Sequence, residues 1–92
     1  MIVRQGNRYL IDGPITFDTV GSLVSGDSVF EGDSVVVDLD RVTRADSSAL
    51  ALMMEWVRRH GNRHIAFANL GHNLQSLAEL YGMTGLIPFA PD

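Results

Sequence analysis

The chain has 92 residues and 10.1 kDa, 46% of them hydrophobic and 20% charged, which fits one globular domain over 1–92 and excludes a disordered or fibrous protein. Zero cysteines exclude disulfides, thiolate metal sites and cysteine nucleophiles together. A net charge of −4 without a single lysine argues against nucleic acid and anionic membrane as partners, and no apolar run reaches the ~20 residues that span a bilayer.

Val3–Gln5 and Arg8–Asp12 read as two short strands around Gly6-Asn7, a dipeptide suited to a two-residue hairpin turn. Gly13-Pro14 is expected to stop the second strand. Ile15, Phe17, Val20, Leu23 and Val24 recur at roughly helical spacing, with Ser25-Gly26-Asp27 closing the segment and a long acidic connection running to Asp33. Val35-Val36-Val37-Asp38-Leu39 is a β-branched run, the reading of a strand covered on both faces, and a polar turn follows. Ser47–His60 reads as a helix with Arg58, Arg59 and His60 at its negative end and Gly61 placed to stop it. Ile65–Ala68 is a further strand. Leu70, Leu74, Leu77, Ala78 and Tyr81 mark one face of a helix ended by Gly82, and Leu86–Phe89 is a candidate edge strand. The order β-β-α-β-α-β-α-(β) predicts an α/β fold: a mixed sheet with an N-terminal hairpin, parallel β-α-β crossovers and helices packed on the sheet. The N-terminal run Met1–Gly6 lacks a basic region before an apolar core, so no signal peptide is expected and the domain is read as cytoplasmic.

Catalytic chemistry is thinly represented. Asp38, Asp40 and Asp46 follow the central strand, where open α/β sheets place their sites. A phosphoacceptor site would need a lysine, which is absent. Carboxylates alone can hold Mg²⁺, but solvated turn residues plus a helix cap is the simpler reading. His60, His64 and His72 have no cysteine beside them, and Gly61-Asn62 breaks the helix between the first two, so no metal site is expected. There is no Gly-x-Ser-x-Gly elbow to support a hydrolase using Ser47 with His60 or His72, and no phosphate loop. No cofactor and no enzyme activity are expected.

The informative segment is Asp46-Ser47-Ser48-Ala49-Leu50. Asp46 suits an N-cap, because its carboxylate can accept the free N–H groups of the first turn at the positive end of the helix dipole. Ser47 and Ser48 then start the helix near the surface, either as good helix starters or as a docking point that a phosphate on Ser47 would switch. At 100° per residue, Leu50, Met53, Met54 and Val57 form an apolar stripe; Ser48, Leu52 and Arg59 fall opposite, with Ala49 and Trp56 on the flank. Leu52 and Trp56 are therefore surplus to one core stripe. They either tuck under a neighbouring element or, with Ala49 and exposed arginines, form an interaction patch.

Asp38-Leu39-Asp40-Arg41-Val42-Thr43-Arg44-Ala45-Asp46-Ser47-Ser48-Ala49-Leu50 resembles the signature of the STAS family, which includes anti-sigma-factor antagonists and sulfate-transporter tails. Ala51-Leu52 and Leu77-Ala78-Glu79-Leu80-Tyr81-Gly82-Met83 are similar to its MlaB branch. The resemblance implies the single-domain fold just outlined. It also implies a non-catalytic cytoplasmic subunit, peripheral to the inner membrane, that binds the MlaF-like ATPase of an ABC phospholipid transporter maintaining outer-membrane lipid asymmetry. Ser47, Ser48, Ala49, Leu52 and Trp56 would press on that ATPase, with Arg44 or Arg59 at a polar rim. In the antagonist branch the residue matching Ser47 is phosphorylated by an anti-sigma kinase, which is the alternative function and partner. Ala49 stands where many phosphorylated members have Gly, a departure that weighs slightly against that alternative.

Overall fold

A computed structural model describes residues 2–25, 30–60 and 64–90. Strands β1 (Ile2–Gln5) and β2 (Arg8–Ile11) form the expected hairpin, with Gln5 opposite Arg8 and Gly6 at φ 64°, a backbone angle that favours glycine. β4 (Ser34–Asp38) lies parallel to β2, and β6 (His64–Ala68) parallel to β4, giving the order β1-β2-β4-β6. Tyr9, Val37 and Phe67 stand in one cross-strand row, all at most 1% exposed. Val35 and Ile65 make the next row. Their neighbours Val36 and Ala66 are only half-buried, whereas Asp38 and Ala68 at the strand ends are buried at 6% and 4%. The opposite face is thus half-open at Val36 and Ala66 and closed at the Leu10–Asp38–Ala68 row, so the cover read on both faces of the Val35–Leu39 run is complete on one face and partial on the other.

Two short strands alter the expected layout. β3 (Gly13–Ile15) and β5 (Val42–Ala45) pair in parallel as a separate two-stranded sheet. Gly13-Pro14 thus opens a strand as well as ending one. Proline has no N–H to donate, and the ladder skips it: Gly13 pairs with Val42 and Ile15 with Ala45, with an irregularity between them. The stretch expected as a polar turn after the central strand contains β5. Helix α1 is short, Val20–Ser25, so Ile15 belongs to β3 and Phe17 to the turn before the helix.

Helix α2 spans Ser47–His60 as expected, and α3 spans His72–Leu80. The end of α3 is a Schellman motif: Met83 N–H bonds Ala78 C=O at 2.8 Å and Gly82 N–H bonds Glu79 C=O at 3.1 Å, with Gly82 at φ 66°. Tyr81 therefore leaves the buried face and is 56% exposed. The candidate strand Leu86–Phe89 reduces to one bridge, with Phe67 N–H on Pro88 C=O and Ala90 N–H on Phe67 C=O, each at 2.9 Å. The helix stop assigned to Gly61-Asn62 and the closure at Gly26-Asp27 lie outside the described residues, as does the start of the acidic connection.

The core lies between the sheet and the helices. Trp56 is 1% exposed and meets Phe30 edge-on at 5.0 Å, and Phe30 meets Tyr9 in the same way at 5.0 Å. A chain of rings thus joins α2 to β2 through the segment that precedes β4.

Candidate functional site

The start of α2 is built by the β3–β5 sheet. Asp46 follows β5 directly, and its N–H bonds Ile15 C=O at 3.2 Å, so the small sheet fixes where the helix begins. The Asp46 carboxylate then caps the helix. Oδ1 accepts Ser48 N–H at 2.9 Å and a close hydrogen bond from Ser48 Oγ, while Oδ2 accepts Phe17 N–H at 3.2 Å. The Ser48 hydroxyl holds the Asp46 carboxyl below the usual carboxylate range; desolvation opposes this, and the Ser48 and Phe17 N–H groups with the Arg44 charge reinforce it. The cap expected at Asp46 is present, with Ser48 as a second donor to it.

Of the two serines, Ser48 is buried at 6% exposure and spent on the cap, whereas Ser47 is half-buried at the edge of an open groove. That groove runs between α2 and the end of α3 and is lined by Ser47, Leu50, Ala51, Met54, Tyr81 and Met83. Ser47 contributes its main polar group; the rest is aliphatic, thioether or aromatic surface. On the other side of Asp46 lies a shallow cleft between the Phe17 turn and β5, bounded by Asp18, Thr43 and Arg44.

Several side chains assigned to a surface patch from sequence are in the core. Ala49 is 0% exposed, Leu52 2% and Trp56 1%, and Ser48 joins them. Ala49, Leu52, Met53, Trp56 and His60 are spaced i, i+3, i+4, i+7, i+11 and form the buried stripe, while Met54 and Val57 are only half-buried. The reason is that α2 packs against α1, α3 and β6, so its buried arc is wider than one stripe and is turned toward Phe30. Arg44 is exposed and lines the cleft beside Asp46. Arg59 is not brought to the site. It lies at the far end of the helix, roughly 18 Å along the axis from Ser47 at 1.5 Å per residue, with its Nε 2.8 Å from Glu55. Arg58 grips the same carboxylate at 2.7 Å and, with Arg59, holds Glu55 down at about 2 against desolvation.

The acidic cluster separates into different roles. Asp38 is 6% exposed and not a solvated turn residue. It accepts Arg8 Nε at 2.8 Å, Asn69 Nδ2 at 3.0 Å and Asp40 N–H at 2.9 Å, tying β2, β4 and the loop after β6 together. Burial pushes its pKa up, but the bonds from Asn69, the Asp40 backbone and Arg8 outweigh that and hold it below the ordinary value. Asp40 is exposed. Ala51, Met54, Tyr81 and Met83, which line the groove beside Ser47, and Phe17 in the cleft across Asp46 were read from sequence as apolar-face or family-signature residues and not as contact residues. The available signal was the i, i+4, i+7 spacing of Ser47, Ala51 and Met54, which leaves a weakly apolar strip beside the heavier stripe ending in Trp56.

This arrangement is a STAS-type α/β fold with a capped helix start presented at the surface. Among 13 matching solved chains is the structure of the anti-sigma-factor antagonist SpoIIAA in its unphosphorylated form. It superposes with a TM-score of 0.67 at 11% sequence identity, covering 100% of this chain and 88% of that one. No curated protein matches the sequence. The family model described as MlaB, STAS domain matches residues 10–88, and the chain belongs to that family.

Proposed function

We propose that this domain is a non-catalytic cytoplasmic subunit that docks on the ATPase of an ABC phospholipid transporter, with the surface around Ser47 as its contact face. The observation that carries the reading is the match of residues 10–88 to the MlaB-type STAS model, over a stretch that includes Asp46-Ser47 at the start of α2. The local geometry supports it. Asp46 and Ser48 are occupied in the cap, which leaves Ser47 as the serine at the surface, flanked by the apolar groove of Ala51, Met54, Tyr81 and Met83. A strip of apolar surface around one hydroxyl, with the exposed Arg44 in the cleft across Asp46, has the make-up of a protein contact: apolar centre and polar surroundings. Docking would influence ATP hydrolysis only by favouring the ATPase conformation that binds this face better, since differential affinity is what shifts such an equilibrium.

The test is a tagged copy at native expression, purified in mild detergent, with co-eluting proteins identified by mass spectrometry. Recovery of an ABC ATPase with its permease is expected. Recovery of an ATP-binding anti-sigma kinase instead would favour the second reading, an antagonist switched by phosphorylation of Ser47. That reading draws on the likeness of fold to SpoIIAA, and on the position of Ser47 at a helix N-terminus, where the dipole tolerates a phosphate.

A further inference from the structure

The turn before α1 holds an aromatic ring out of the protein. Phe17 is 73% exposed, although the chain has only four phenylalanines and Phe30 and Phe67 are core residues. The turn under it is not loose. Thr19 Oγ1 donates to Pro14 C=O and accepts Thr16 N–H, both at 2.9 Å, and Val20 N–H reaches Thr16 C=O at 2.9 Å. Phe17 N–H bonds the Asp46 carboxylate at 3.2 Å, the group whose other oxygen caps α2 one residue before Ser47. An apolar ring on a turn fixed at four points loses little conformational freedom when it is covered, which is the property of an aromatic anchor. Its surroundings are charged: Asp18 is exposed next to it, and the cleft between the turn and β5 is closed by Asp46 and Arg44.

We propose that Phe17 is a second anchor of the docking face, set by Asp46, and that it enters an apolar pocket of the transporter ATPase lined on one side by a lysine or arginine facing Asp18. The inference rests on the functional reading above and adds to it the composition of the partner's surface. The Asp46 carboxylate makes one face of two elements, because it holds the Phe17 turn with one oxygen and the start of α2 with the other. Asp46 is a positioning residue here; Phe17 makes the contact.

The test titrates the purified ATPase subunit with the wild-type domain, Phe17→Ala, Asp18→Lys, Asp46→Ala and Phe17→Ala/Asp46→Ala, each checked for folding by thermal melting. Phe17→Ala is expected to weaken binding about tenfold or more with little change in melting, as loss of an aromatic hot spot does. Asp18→Lys is expected to weaken it less, and raised salt to narrow the difference. In the Asp46→Ala background, Phe17→Ala is expected to cost much less than alone, a non-additivity that a purely structural role for Asp46 would not produce. Wild-type affinity in folded Phe17→Ala, or strict additivity of the two substitutions, overturns the proposal while leaving the ATPase reading standing. A wild-type domain that does not bind the ATPase overturns both. Self-association of the wild type that Phe17→Ala abolishes would assign the ring to a second copy and overturn the proposal as well.

Discussion

At the scale of single residues, the two buried or capping aspartates do opposite kinds of work. Asp46 faces outward and organises a surface, holding the Phe17 turn and the first turn of α2 together. Asp38 faces the packed region and ties three parts of the sheet through Arg8, Asn69 and the Asp40 backbone. Both carboxyls are held below their unfolded values. The linked stability is therefore fully present above the unfolded carboxylate value of about 4, and is lost as pH falls through the lower folded values. Chemical unfolding followed from pH 7 down to pH 2 is expected to show stability falling below about pH 4. Asp38→Asn is expected to lower stability at pH 7 and to flatten that acid limb, because the residue no longer titrates. An equally steep limb in the variant would place the acid sensitivity elsewhere. Ser47, by contrast, has the groove beside it and is spared the cap by Ser48, so Ser47→Asp is expected to disturb binding far more than folding.

At the scale of elements, α2 was legible in its extent and not in its rotation. Ser47–His60 followed from the cap, the basic last turn and the unbroken run of helix formers. Its phase was ambiguous because Leu50/Met53/Met54/Val57 and Ala49/Leu52/Met53/Trp56 are both acceptable apolar stripes sharing Met53. The tertiary neighbours bury the second stripe together with Leu50 of the first, and leave Met54 and Val57 half-buried. Phe30 lies far away in sequence, and its edge-on contact with Trp56 draws the second stripe inward. Leu52→Ala is accordingly expected to cost about 2–5 kcal/mol and Trp56→Ala about 3–5 kcal/mol in denaturant unfolding. Values below about 1 kcal/mol would return these residues to the surface patch that spacing alone allowed. The small β3–β5 sheet escaped notice for a different reason: three or four residues, one of them proline, carry too little alternation to announce a strand. Yet that sheet sets the start of α2 and the Phe17 turn, so the missed element is the one that positions the candidate site. The hairpin, the central strand and α3 were readable because a glycine turn, a β-branched run and helical periodicity are local signals.

For the whole molecule, the division of labour is between a covered sheet face and one end of α2. The rings of Tyr9, Phe30 and Trp56 bind sheet to helix, while Asp46 gathers Ser47, Phe17 and Arg44 around the helix start. The exposed groove of Ala51, Met54, Tyr81 and Met83 completes an apolar surface that an isolated small domain has no structural need to leave open. The central claim is that this end of the molecule is where the ATPase sits. Its most direct test is the dissociation constant of the ATPase subunit for Ser47→Asp and Ala51→Arg, with Arg4→Ala on β1 as the remote control. Ala51 is exposed, and an arginine there blocks the groove without entering the core. Both face variants are expected to bind about tenfold or more weakly with unchanged melting, and the control to bind as wild type. Folded Ser47→Asp and Ala51→Arg domains that bind the ATPase as tightly as wild type would contradict the account.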